Sequence, residues 1–298
     1  MTTPGPVPPP THTPTHAAAP APTPARATTH TARAHSFNAA AAQYAAGRPS
    51  YPPALFDAIG ELAGRPLAGA RVADIGAGTG IATARLHARG ADVIAVEPGA
   101  GMAAEFRRTR ADVPIVRGSG NALPLADHCA DLLTYAQAWH WTDPARAVPE
   151  ALRVLRPGGA LALWWNTDAL DVPWIAASAA RVQRHFGLDI AAEKRDVDAG
   201  AADPTGRLRF TRREIRWSRR VPLETHLANI GSHSIFLTHG EEHSAAFLAE
   251  ERRHLLAAFP DGAVEETYDT VLLLATTPTA STASTAPTIP PPPHPPTA

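Results

Sequence analysis

One cysteine and one lysine stand in a chain of 298 residues. The lone Cys129 excludes an intrachain disulfide and any cysteine-cluster metal centre, which fits a reducing compartment. Lys194 is the single lysine; the rest of the 27 basic residues are arginines, and 28 acids offset them. The resulting net charge of −1 gives no global argument for nucleic acid or membrane binding. No apolar run approaches the ~18 residues of a spanning helix, and the N-terminus lacks the apolar core of a secretory signal. Its want of acids before Asp57 superficially suits a transit peptide, but nine prolines in the first 24 residues oppose the amphipathic helix such peptides need. The expected setting is soluble and cytoplasmic, with no membrane partner. There are 14 histidines but no H-x-x-x-H face beside an acid cluster, so no metal site is indicated.

The two ends are unlike the middle. Residues 1–35 are mostly Pro, Thr and Ala, and residues 277–298 are Thr, Ser, Ala and Pro. Such segments bury too few side chains to offset an ordering cost of about 1–2 kcal/mol per residue, so both are expected to be disordered tails. Residues 36–276 remain, enough for one α/β domain with a substantial core.

Within that span, apolar strands alternate with helices. Helices are expected over 37–46, from Pro52 or Pro53 to about Ala63, over 79–88 and over 100–109. Strands are expected over 70–75, 92–96, 114–116 and 131–136. Asp143-Pro144 has the N-cap and N1-proline chemistry of a helix start, and Pro157-Gly158-Gly159 turns the chain into an apolar strand over 160–165. This alternation predicts a doubly wound, mostly parallel sheet with helices on both faces. Beyond Asn166 the pattern loosens. A capping helix is expected over 173–186 and an irregular excursion over 187–205. A strand over 208–221 changes its apolar parity, as a bulge near 211–213 would explain. A helix over 241–259 and a strand over 267–275 complete the chain, with the cap and substrate region at about 170–260.

The most informative segment is Val72-Ala73-Asp74-Ile75-Gly76-Ala77-Gly78-Thr79-Gly80, an apolar strand running into three alternating glycines. Seventeen residues after Gly80 a second apolar strand ends in Glu97-Pro98. This is a βαβ unit whose turn admits a ligand to the backbone and whose second strand offers a carboxylate to a ribose diol. A dinucleotide fingerprint would need glycine at position 81, where Ile81 stands.

The G-x-G-x-G spacing with Asp74 ahead of it resembles motif I of class I S-adenosylmethionine-dependent methyltransferases. The likeness extends over about Phe37 to Thr276 and is similar to the type 11 small-molecule group, which includes relatives of trans-aconitate methyltransferases. Its landmarks are Phe37, Tyr44, Arg48-Pro49 and Tyr51-Pro52; Gly118-Ser119-Gly120-Asn121; Ala136-Gln137-Ala138-Trp139-His140-Trp141; Arg153 to Gly159; and Trp164-Trp165-Asn166. The resemblance implies a seven-stranded Rossmann-like sheet closed by an antiparallel C-terminal hairpin, S-adenosylmethionine as cofactor, and methyl transfer to a small molecule, oxygen favoured.

It also implies roles. Asp74 would organise the loop and the ligand's ammonium end, with Gly76, Ala77, Gly78 and Gly80 against the methionyl group. Glu97 would take the ribose, followed by Pro98, and Met102 would pack by the adenine. Ser119, Gly120 and Asn121 form the adenine loop; Ser119 stands where an aspartate is usual, which implies weaker affinity or backbone compensation. Gln137, Tyr44 and Arg48 would face the methionyl end. His140, just past the fourth strand, is the candidate general base, its alternative an architectural place between two indoles. Trp139, Trp141 and His233 are candidate substrate contacts. Two rival functions remain: a cofactor-binding module without turnover, and a nucleic-acid methyltransferase using seven arginines between Arg207 and Arg220. The Asn/Asp-Pro-Pro-Tyr/Phe motif of amino-group methylation is absent, and nucleic acid is not the favoured partner.

Overall fold

The computed structural model describes residues 41–187 and 199–279. Residues 1–40, 188–198 and 280–298, and so nearly all of the two tails and most of the 187–205 excursion, lie outside the described residues.

A short helix α1 (Ala41–Gly47) leads to α2 (Pro53–Leu62), which Pro53 opens and whose Leu55, Phe56 and Ile59 are buried. Then β1 (Arg71–Ile75), α3 (Ile81–Ala88), β2 (Asp92–Glu97), α4 (Ala100–Thr109), β3 (Ile115–Arg117) and β4 (Ala130–Ala136) follow in strict alternation until β3. A 3-10 turn (Trp139–Trp141) and α5 (Pro144–Val154) connect to β5 (Leu155–Asp168). The Asp143 carboxylate accepts from the Ala145 N–H at 3.1 Å, capping α5. Helix α6 (Pro173–Phe186) and the single turn α7 (Ala199–Ala202) precede β6 (Thr211–Pro222). Helices α8 (Leu223–Gly231), α9 (Ser234–Thr238) and α10 (Glu241–Ala258) come before the last strand, β7 (Ala263–Thr276).

The seven strands lie in the order β3-β2-β1-β4-β5-β7-β6. β3, β2, β1, β4 and β5 are parallel; β7 runs antiparallel between β5 and β6. This is the Rossmann-like class I arrangement. Strands buried on both faces read as continuous apolar runs, and β4 up to Tyr135 and the middle of β5 are buried. One core lies on each face. Leu55, Phe56, Ile59, Leu86, Phe106 and Trp164 fill one; Ile75, Leu133, Tyr135, Val148, Val154 and Leu163 fill the other. Strand order reverses between β1 and β4, so the crevice at their carboxyl ends is where such a sheet binds ligands.

Three expectations are corrected here. β5 starts at Leu155, and the Pro157–Gly159 turn is an irregularity inside its pairing with β4, between Ala130 and Leu132. The bulge near 211–213 is absent: β6 pairs with β7 in one unbroken register from Thr211↔Leu274 to Pro222↔Ala263. Leu208 and Phe210 pack on the core from the segment before the strand, which explains their contrary parity. The segment between β6 and β7 holds three helices, two of which, α8 and α9, the pattern did not predict.

Candidate active site

The glycine turn sits on the end of β1. Gly76, Gly78 and Gly80 all have positive φ, at 66°, 59° and 89°. Gly76 shows why no other residue serves: a Cβ there would lie 2.6 Å from the Ala138 Cβ, in a backbone region that L side chains rarely adopt. Beyond β4, Gln137 is a non-glycine residue at φ 55°, its N–H donating to the Trp164 carbonyl at 2.8 Å. Strain of this kind persists where the surroundings over-determine it.

Glu97, at the end of β2, is 6% exposed and joins two loops. Its Oε2 accepts from the Gly78 N–H at 2.9 Å and its Oε1 from the Gly99 N–H at 2.6 Å. Burial raises its pKa, opposed by those N–H groups and by Arg117. Each carboxylate oxygen keeps a second lone pair for a ligand hydroxyl.

Asp74 lies beneath the loop, with no exposed surface and no part in the cleft lining. Thr83 donates to Oδ2 at 2.6 Å and Thr134 to Oδ1 at 2.8 Å. Both oxygens are thus engaged from within, and the side chain braces the turn. Burial lifts its pKa to about 6 against the two hydroxyl bonds. A raised pKa means that the folded chain takes up a proton which the unfolded chain releases. This contribution is full below about pH 4 and is lost as pH rises through 6. Asp74→Asn is therefore expected to gain about 1–2 kcal/mol on the parent between pH 4 and 7. Chemical denaturation at both pH values checks this, and a pH-independent difference refutes it.

A cleft of about 740 Å³ opens above these loops, within the range of small-molecule sites. Of the residues singled out in the sequence, Tyr44, Arg48, Gly76, Gly78, Glu97, Pro98, Met102, Ser119, Gly120, Gln137, His140, Trp141 and His233 line it. Ala77, Gly80, Asn121 and Trp139 do not. Asn121 accepts from the Asp143 N–H at 2.8 Å and so steadies the start of α5. Trp139 is 2% exposed, donates to the Ala202 carbonyl at 3.1 Å and meets Tyr135 edge-on, which makes it core.

His140 accepts from the Trp165 indole N–H through Nδ1 at 3.3 Å and tilts against Trp141 at 4.6 Å between centroids. With Nδ1 used as acceptor, the neutral ring carries its proton on Nε2 and presents a donor along that edge. This geometry favours the architectural alternative over base duty.

A family model of a methyltransferase domain matches residues 73–163. The uncharacterized methyltransferase Rv3342 of Mycobacterium tuberculosis is 35% identical over 245 residues, 81% of this chain and 95% of the relative. The chain belongs to the class I S-adenosylmethionine-dependent methyltransferases. A protein of Anaeromyxobacter dehalogenans described as a type II methyltransferase superposes with a TM-score of 0.58 at 26% identity, covering 78% of this chain and 99% of that one. A demethylmenaquinone methyltransferase of Beutenbergia cavernae is 41% identical over 122 residues, 41% of this chain and 48% of the relative.

The methyltransferase's own residues fit its cofactor. Glu97 lines the cleft with lone pairs to spare for a pair of ligand hydroxyls, and Met102 lies 7% exposed beside Gly78. The Tyr135 hydroxyl beside Gly120 and the Arg48 Nε are buried with no hydrogen-bond partner among the described residues. These can serve the adenosyl end and the methionyl carboxylate respectively.

The far half of the methyltransferase cleft is walled by α6, α8 and the segment into α9, and most of its chemistry was not foreseen. Trp174, Ile175, Val182, Ile230 and Phe236 supply the apolar surface. Asp168, His226, Asn229, Glu266 and Tyr268 supply polar groups. Asp168, exposed at the end of β5, faces the cleft, where the surrounding protein raises its carboxyl by desolvation, with His226 and Arg48 pulling it back and Glu266 pushing it further. Burial holds the His233 imidazole well below its usual range, aided by Arg48 and His226.

Proposed function

We propose that this methyltransferase moves the methyl group of S-adenosylmethionine to a hydroxyl of a small-molecule acceptor. The observation that carries the reading is the cleft itself: the residues that resemble the cofactor's landmarks line it together with apolar side chains of α6 and the α8–α9 segment and a few polar groups. When bound, the cofactor supplies an activated sulfonium methyl. The protein's part is then alignment and exclusion of water. Gly76 and Gly78 admit the ligand to the backbone, Glu97 fixes the ribose, and α6 and α8 cover the acceptor.

The arginine-rich strand favours this reading over nucleic-acid methylation. β6 is a sheet edge, and its arginines pair with acids: Arg212 with Glu214, Arg213 with Glu61, Arg216 with Asp171 and Asp269, Arg219 with Glu266, and Arg220 with Asp261. Paired guanidiniums offer little to a phosphate backbone and discourage strand addition at the edge.

The test is calorimetry with S-adenosylmethionine, followed by transfer of labelled methyl in a metabolite extract. Uptake of label into small molecules is expected. Cofactor binding without any label transfer would favour a non-catalytic module, and labelled RNA or DNA would favour the nucleic-acid rival.

A further inference from the structure

One group in the chamber is built for proton transfer, and it is not the histidine the sequence brings forward. His226 lies on α8, is 7% exposed and lines the cleft. Its Nδ1 is 2.6 Å from Oε1 of Glu266, and Nε2 is buried with no hydrogen-bond partner among the described residues. Glu266 is 2% exposed; Arg219 donates to its Oε2 at 2.5 Å. Asn229 Nδ2 stands 3.4 Å from Glu266 Oε1 and 3.0 Å from the Tyr268 hydroxyl. Burial alone would raise the Glu266 carboxyl, but the His226 and Arg219 bonds hold it below the ordinary range. It is therefore ionised near neutrality and can only accept. The short contact then requires the proton on His226 Nδ1, which leaves the Nε2 lone pair as the ring's remaining function. A carboxylate that fixes the tautomer of a histidine is the arrangement of a general base.

We propose that His226 is the general base of this methyltransferase, positioned by Glu266, and that the acceptor carries a weakly acidic hydroxyl on an apolar body. The proposal rests on the small-molecule reading above. The neighbouring Asn229 Oδ1 is a second buried acceptor without a donor among the described residues. Trp174 meets the His226 ring edge-on at 5.6 Å between centroids and continues the apolar wall that would hold the body of such a molecule.

The step balances. The acceptor O–H bond breaks and its proton passes to Nε2. The oxygen pair forms the new O–C bond as the donor's S–C bond gives its electrons to sulfur, and the imidazolium is stabilised against Glu266. The charged and titratable groups around the ring are Glu266 and Tyr268 on β7, Asp168 on β5, Arg219 on β6, His233 before α9 and Arg48 after α1.

Nitrogen-15 spectra of the full chain read the arrangement without turnover, with the His226 signal identified by its loss in His226→Asn. At pH 7.5 the Nδ1–H tautomer is expected, and Glu266→Gln should shift it toward Nε2–H. Adding 4-nitrophenol should move the Nε2 resonance. An Nε2–H tautomer in the parent, or a resonance indifferent to the phenol, overturns the proposal. Among acceptors found in the extract assay, His226→Asn should lower kcat by at least ~100-fold with cofactor affinity by calorimetry unchanged. Equal turnover overturns it. Failure of the parent protein to bind S-adenosylmethionine would sink the functional reading instead, and the tautomer result separates the two.

Discussion

Glu97→Ala is expected to weaken S-adenosylmethionine binding by about 2–4 kcal/mol, a loss of roughly 30- to 1000-fold, because two charge-assisted hydrogen bonds to the ribose disappear together. The structure adds a second reason. The carboxylate also joins the Gly78 and Gly99 N–H groups, so its removal frees both loops of the cradle. Glu97→Gln separates these effects only in part: its amide oxygen can accept one N–H, but its NH2 faces the other. Its affinity should fall nearly as far as that of the alanine variant. Because burial raises the Glu97 pKa, the parent's affinity should decline as pH falls toward that raised value, since the protonated acid is the poorer acceptor. In neither variant should this acid limb persist. Calorimetry across pH checks all three expectations, and an alanine variant with parental affinity would refute the ribose assignment.

The cofactor half of the cleft was legible in the sequence for identifiable reasons. Parallel strands buried on both faces read as apolar runs, and the turns between them need glycine or proline for steric causes. Gly76, Gly78, Glu97 and Met102 accordingly come together as their spacing implies. Asp74 shows the limit: the motif marks its place, but only the structure shows both oxygens occupied by Thr83 and Thr134.

The acceptor half was illegible because its helices bury polar side chains. In α8 the apolar stripe is short, Leu223, Leu227 and Ile230, and it shares the buried side of the helix with His226 and Asn229, so the nine-residue pattern is weak. One signal was available. In β7 the inward positions are Val264, Glu266, Tyr268 and Thr270. An acid on the buried parity of a strand must find cations or donors. Following Glu266 to its partners leads to His226 and Arg219.

The largest loss of stability should come from Arg181→Ala, about 3–5 kcal/mol, because it leaves a buried carboxylate without its cation. Glu251 on α10 has no exposed surface. Arg181 grips it with two bonds, Nε to Oε2 at 2.5 Å and Nη2 to Oε1 at 2.7 Å, and Ser178 donates at 2.7 Å. Burial pushes the Glu251 carboxyl up, but Arg181 and Ser178 bring it below the usual value. A depressed pKa contributes stability that is present above the unfolded pKa and lost as pH falls through the folded one. The alanine variant should lose that term, so its deficit in thermal or denaturant unfolding should be greatest near neutrality and shrink toward pH 4. The pair itself need not be net stabilising, because desolvation opposes it. Arg181→Met with Glu251→Leu should therefore recover most of the loss, and a double variant as weak as the single would show that the charge was not the cause. The position gives the pair a functional consequence. Ser178 and Val182 of α6 line the chamber, and this bond ties α6 to α10. Loosening it should raise KM for the acceptor while leaving the cofactor's affinity, set by Glu97 and the glycine turn, where it was.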